Sequence, residues 1–267
     1  IAVADLDIDG ATDIGAAIVD ADLFIVDDGA GGANRKVTAA RLKTYAGGAG
    51  AINDLSDALT NSSGATIGLG TGALAADNGS ANNNTALGYQ ALNDATTAER
   101  NVAVGYQAMD SMTGDDGSGN GYGFSTAVGY QALGGATTGF NHVAIGYQAL
   151  LSSTDGEGHT AVGRSAGAGA GATTDNSTFV GSLAGDSATA SLVTIVGRTA
   201  GRNAGGTGTV AVGANALTVG TGTGNTAIGY NSLLSATTGT YNTALGENAG
   251  NTTTEGDNNT MLGYDAE

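Results

Sequence analysis

The chain has 267 residues, 48 of them glycine, and contains no proline, cysteine or tryptophan. The missing cysteines exclude a disulfide-stapled fold, a thiolate metal centre and cysteine catalysis, and two histidines leave little for imidazole chemistry. With 25 acidic against 8 basic side chains, the net charge of −17 argues against nucleic acid and anionic membrane surfaces as partners. No apolar run approaches the ~18 residues of a membrane-spanning helix, so no membrane partner is expected.

The first 64 residues differ from the rest. Residues 5–28 are acidic and end in an apolar segment, Leu23, Phe24, Ile25 and Val26, that reads as a strand. Within them Asp5, Asp7, Asp9 and Gly10 match the opening of a calcium loop. The twelfth position, which needs a bidentate glutamate, is Ala16, so a solvated acidic entry strand is the plainer reading. Residues 29–34 form a turn, and 35–46 read as a strand leading into a short helix that holds Arg35, Lys36, Arg41 and Lys43. Residues 51–59 place Ile52, Leu55 and Leu59 on one helical face. The expected division is a small α/β adaptor at 1–50, a linker helix at 51–64 and a repeat rod at 65–267. The chain begins at Ile1 without an initiator methionine, and its repeat still runs at residues 265–267, so a longer parent protein is expected.

The rod is announced by recurrence. NTALGYQAL (84–92), NVAVGYQAM (101–109), STAVGYQAL (125–133), HVAIGYQAL (142–150) and NTAIGYNSL (225–233) are copies of one unit. HTAVGRSAG (159–167), STFVGSLAG (177–185) and NTALGENAG (242–250) are divergent copies. The central glycines are Gly70, Gly88, Gly105, Gly129, Gly146, Gly163, Gly181, Gly197, Gly213, Gly229, Gly246 and Gly263, spaced by 16 to 18 residues with one interval of 24. That period is too short for a helical repeat or a propeller blade, which need more than about 30 residues. It suits one coil of a parallel β-solenoid or β-roll, expected here as two short strands and two turns per coil. The three residues before each glycine form a strand, and the glycine makes a bend that a side chain would obstruct. The position before the glycine is always aliphatic from Leu87 onward, and the one before that is usually alanine. Both strand faces are therefore apolar, one large and one small. A homotrimer that buries the alanine face is expected to tie such thin-cored coils together. Proline is absent because nearly every strand N–H must donate to a neighbouring coil.

Candidate chemistry is sparse, and no catalytic, cofactor-binding or metal-binding residues are expected. His142 and His159 both stand four residues before a repeat glycine, where other copies have Asn84, Asn101, Asn225, Asn242 and Asn259. The slot reads as a hydrogen-bonding turn position. Tyr89, Tyr106, Tyr130, Tyr147, Tyr230 and Tyr264 form a column after the glycine, with Gln90, Gln107, Gln131 and Gln148 beside the first four. This ladder either contacts a carbohydrate or, as such ladders more often do, stacks on itself and bridges chains. The long interval carries an insertion at 112–124 whose Tyr122 joins Tyr89, Tyr106, Tyr130, Tyr147 and Tyr230 as the candidate receptor-contact set. Asp115, Asp116 and Gly117 make no stronger metal motif, and GAGAGA (167–172) lacks the lysine of a phosphate loop. Glu247 and Glu255 are too isolated for a polysaccharide-cleaving carboxylate pair.

The segments DADLFIVDDGAGGANRKVTAARLKTY and INDLSDAL, followed by NTALGYQAL units, resemble tail-fibre and related virion proteins of tailed phages. The coil pattern is also similar to the heads of trimeric autotransporter adhesins, left-handed parallel β-rolls with shorter repeats. The phage resemblance implies a homotrimeric fibre, docking on other virion proteins through residues 1–50, and a host-surface receptor, glycan included, gripped at the far end. It implies no catalytic residues. The expected function is a rigid spacer in host attachment, located on the virion. The alternative is the head of a bacterial surface adhesin, located on the cell surface.

Overall fold

The computed structural model describes residues 23–26, 35–38, 58–61, 66–77, 83–114, 123–170 and 175–267. The chain divides into two compact units, Ile1–Ala51 and Ile52–Glu267. In the first, strands β1 (Leu23–Val26) and β2 (Arg35–Thr38) pair antiparallel, with Phe24 opposite Val37. Both were expected as strands. The calcium-loop reading at residues 5–16 and the short helix expected after β2 lie outside the described residues.

The second unit is one sheet of thirteen strands stacked in chain order. It begins with β3 (Ala58–Asn61) and β4 (Thr66–Leu69), which pair antiparallel. Eleven three-residue strands follow. They are β5 (Thr85–Leu87), β6 (Val102–Val104), β7 (Thr126–Val128), β8 (Val143–Ile145), β9 (Thr160–Val162), β10 (Thr178–Val180), β11 (Thr194–Val196), β12 (Val210–Val212), β13 (Thr226–Ile228), β14 (Thr243–Leu245) and β15 (Thr260–Leu262). From β4 onward every pairing is parallel and in register, each repeat position meeting its own equivalent one coil away, as in Ala127 with Ala144. The chain is thus an all-β, parallel β-solenoid, and among the described residues it contains no helix. At ~4.8 Å per coil, twelve strands span about 55 Å.

Three expectations are corrected. Residues 58–61, inside the stretch read as a linker helix, are a strand, because an open edge of β4 offers backbone partners that outweigh a weak helical pattern. Each coil carries one strand rather than two. The chain instead turns at residues with left-handed backbone two and four positions after the glycine, such as Gln131 (φ 50°) and Leu133 (φ 54°), and again five positions before it, such as Asn141 (φ 60°). A left-handed L-residue costs about 1–2 kcal/mol, and here the bends are held by bonds to adjacent coils: Leu133 N–H to the Ala149 carbonyl of the next coil at 2.9 Å, and Gln131 and Asn141 N–H to the Tyr106 and Gly123 carbonyls of the preceding one at 2.8 and 2.9 Å.

The third correction concerns the faces of the strand. The alanines Ala86, Ala103, Ala127, Ala144, Ala161, Ala211, Ala227 and Ala244 are buried within their own coil. They do not form an outer face for a partner chain. The interior is narrow because Leu92, Met109, Leu133, Leu150, Leu217 and Leu233 enter it from the opposite side and are fully buried. The divergent copies fill the same volume in the reverse way. Where the strand centre is Phe179 or Ile195, the leucine position of the same coil is glycine, and Met261 lies against Gly250, the leucine position of the preceding coil. A Cβ on Gly167 would come within 2.7 Å of the Phe179 ring, one on Gly201 within 2.5 Å of Ile195, and one on Gly250 within 2.6 Å of the Met261 sulfur. Phe179 and Ile195 are themselves completely buried.

The repeat glycines do what the sequence required of them. Gly163 has φ +136°, and a Cβ there would lie 2.5 Å from the Gly181 carbonyl oxygen of the next coil. The 24-residue interval leaves the ladder undisturbed, since β6 and β7 pair in the same register as every other neighbouring pair. Residues 115–122, including Asp115, Asp116 and Tyr122, lie outside the described residues.

Candidate interaction face

Alternation along each strand sends the residues one and three before the glycine outward. Leu87, Val128, Ile145, Val162, Ile228 and Leu245 are all exposed by 36–45%, and Val104, Val180, Val196 and Val212 are half-buried. Beside them runs a column of Thr85, Val102, Thr126, Val143, Thr160, Thr178, Thr194, Val210, Thr226, Thr243 and Thr260. No charged residue occurs in β4–β15, although the chain carries 25 acidic and 8 basic side chains. Among the described residues the acids of this unit lie outside the strands. Long, contiguous apolar faces of this kind are rare on monomers, and charge depletion is the mark of an interface core.

Two residues further along each coil, Tyr89, Tyr106, Tyr130 and Tyr147 stack in one column. Successive ring centroids are 5.1 Å apart and the planes differ by 5–15°. The rings cover one another's faces, so the column presents edges and hydroxyls outward. A sugar ring that needs an aromatic face finds none between coils. The column is interrupted by Arg164, Ser182, Arg198 and Ala214 and resumes at Tyr230, which is half exposed. Alongside it the amides of Gln90, Gln107, Gln131 and Gln148 form a ladder, each Nε2 donating to the preceding Oε1 at 3.0–3.1 Å. Asn215, Asn231 and Asn248 continue the ladder higher up at 3.1–3.2 Å. Each such bond contributes on the order of 0.5–1 kcal/mol, so Gln131→Ala, which breaks two, is expected to lower stability by about 1–2 kcal/mol in a denaturant titration.

The position four before the glycine forms a third column, inside the coil. Except at Val193 and Thr209, its side chains accept the backbone N–H of the same position in the next coil. Asn101 donates to Asn84 Oδ1 (2.9 Å), Ser125 to Asn101 Oδ1 (3.0 Å), His142 to Ser125 Oγ (3.0 Å), His159 to His142 Nδ1 (3.2 Å) and Ser177 to His159 Nδ1 (3.3 Å). The sequence-based reading of this slot as a hydrogen-bonding one is therefore met in detail. Both imidazoles are completely buried. Burial, and secondarily the neighbouring His159, holds the His142 pKa down at about 4.

Carboxylates do not assemble into a reactive pair. Asp110 is pushed above the usual range by burial and then by the charge of Asp94 one coil away. Asp257 is held below it by hydrogen bonds from the Thr240 backbone N–H and hydroxyl. Among the described residues no group of three or more His, Asp or Glu side chains is placed to hold a metal ion. The chain matches no protein-family model, no curated protein and no solved structure. The geometry thus defines a class, the parallel β-solenoid repeat proteins, from the chain's own coordinates.

Proposed function

We propose that the chain is a non-enzymatic structural protein, a segment of a homotrimeric fibre on a phage tail or similar virion appendage, that acts as a rigid spacer in host-cell attachment. The observation that carries this reading is the charge-free face, one aliphatic column beside a column of threonine and valine, which runs the height of an unbroken in-register ladder. The alanine face expected at the interface belongs to the coil's own core, so the surface offered to two further copies is the larger one. A face about 55 Å tall and two residue columns, roughly 10 Å, wide offers on the order of 500 Å². Continuous parallel pairing gives stiffness, as a spacer needs. Residues 1–50 dock on other virion proteins, and the receptor, a host-surface glycan or protein, is met elsewhere on the assembled fibre.

Analytical ultracentrifugation of the purified chain tests the assembly, with a single species of three times the chain mass expected. Ile145→Asp combined with Val162→Asp places two carboxylates on the outer face without touching the core. The variant is expected to sediment as a monomer with an unchanged β circular-dichroism spectrum. A monomeric parent protein overturns the trimer. Negative-stain micrographs of particles, in which a labelled chain decorates an appendage or does not, test the location.

A further inference from the structure

Among the twelve coils only two place a titratable side chain in the buried hydrogen-bonding column, and they are adjacent. The rings of His142 and His159 stack with centroids 5.2 Å apart and planes 9° from parallel. Each uses Nδ1 as the acceptor for the backbone N–H of the following coil. The opposite edge of His142 stands in for an asparagine amide. Asn84, Asn225 and Asn242 each donate from Nδ2 to the carbonyl fourteen residues on, at 2.6–2.8 Å. His142 Nε2, which is buried and closes no full hydrogen bond, faces the equivalent carbonyl, Gly156. The neutral imidazole with its proton on Nε2 fits both roles, and the imidazolium does not, because its Nδ1 carries a proton and cannot accept.

We infer that the His142–His159 stack is an acid-sensitive joint of the rod, at which protonation uncouples the coils on either side while the remaining coils stay closed. Charging either ring removes the acceptor of a buried backbone N–H, which is costly in itself, and charging both sets two cations in contact. Among the described residues no carboxylate is recorded in contact with either ring. Along the column the neighbours are Ser125 and Ser177, and the Phe179 ring lies 6.1 Å from His159. Of the acids on the flanking turns, Asp155 is exposed and accepts from the Thr137 and Thr138 hydroxyls. Asp175 accepts the Glu157 N–H, and Glu157 itself is partly exposed on the turn before His159.

The direction of the pH effect follows from the depressed pKa. The closed coil holds His142 neutral down to about pH 4, whereas an opened coil binds the proton near the ordinary value of about 6.5. The joint is therefore fully stable above pH ~6.5 and weakens as the pH falls from there toward ~4. By pH ~4 the opening equilibrium of His142 alone rises on the order of 100-fold. Other coils, with Asn, Ser, Thr or Val in the slot, carry no such dependence.

Hydrogen exchange read by mass spectrometry, corrected for intrinsic rates, tests this on the full chain between pH ~7 and ~4. Protection of the amides in 142–146, 159–163 and 177–181 is expected to fall on the order of 100-fold, with 84–88 and 225–246 unchanged. His142→Asn with His159→Asn restores the residue found in five other coils and is expected to abolish the pH dependence. Uniform loss along all coils, no loss at the joint, or the same loss in the double variant overturns the inference. Should the double variant fail to fold, the coil-resolved pattern of the parent chain and of His142→Asn alone decides in the same way.

Discussion

Gly163→Ala is expected to be among the most damaging single-methyl additions in the chain. The residue sits at φ +136° in the middle of the stack, and the new Cβ would lie 2.5 Å from the Gly181 carbonyl oxygen and 2.7 Å from its carbon. Both are backbone atoms held in a ladder on either side, so neither can withdraw. Positive φ alone costs an L-residue on the order of 1–3 kcal/mol. With the collision added, a loss of about 4 kcal/mol or more is expected, in the range reserved for severe lesions. Since coils contact only their neighbours, the damage is expected to divide one cooperative unit into two, giving two transitions in thermal circular dichroism. Gly263→Ala separates the terms, because Gly263 has φ +125° with no atom within 4 Å of the added carbon. It is expected to cost about 1–3 kcal/mol. Equal losses at the two sites would show that the close approach between coils contributes nothing.

The second large effect is a coupled one. Phe179→Ala removes a fully buried ring that fills the space left by Gly167 and Gly185, and a cost of about 3–5 kcal/mol is expected. Gly185→Leu alone drives its side chain into the Phe179 ring, which a Cβ at that position already overlaps, and is expected to destabilise by a similar amount. The two together recreate the arrangement of Ala127 with Leu133, and the backbone at Gly185 (φ +57°) matches that of Leu133 (φ +54°). The double variant is expected to recover most of the loss, with a coupling energy of about 2–3 kcal/mol in a double-mutant cycle. Additive losses would mean that the core is not governed by this exchange of volume.

Much of the solenoid is legible in the residues, and the illegible part has one origin. The glycine column, the strand before it and the hydrogen-bonding slot of His142 and His159 follow from repeat spacing and chemistry. Those cues are local, and the coil repeats them. Which strand face turns inward is not local. Large apolar residues belong inside by default, so Val128 and Ile145 compete with Ala127 and Ala144 for the core. The contest is decided by Leu133 and Leu150, whose side chains arrive from across the coil and leave room only for a methyl. The signal was present in the divergent copies, where Phe179 goes with Gly185 and Ile195 with Gly201. Such reciprocal exchange identifies two positions that share one volume. The turn conformations were hidden for a related reason, since Gln131 and Leu133 are not residues that favour a left-handed backbone. Only the ladder to the next coil makes them adopt it. β3 escaped because it is a strand only by pairing with β4, and an isolated INDLSDAL segment carries a helical pattern.

The in-register pairing has a consequence for how such a molecule gains reach. Every ladder contact joins residues about one coil apart in sequence, 16 to 18 positions or 24 at the insertion. Closing a further coil demands the same short loop as closing the last one, so folding difficulty does not grow with length in the way it does for sheets that pair distant segments. Duplicating a unit such as NTALGYQAL with its turn lengthens the molecule by about 4.8 Å, and deleting one shortens it by the same step. Length is thereby an adjustable dimension, open to change by unequal exchange between repeats of the gene, with no new core to invent.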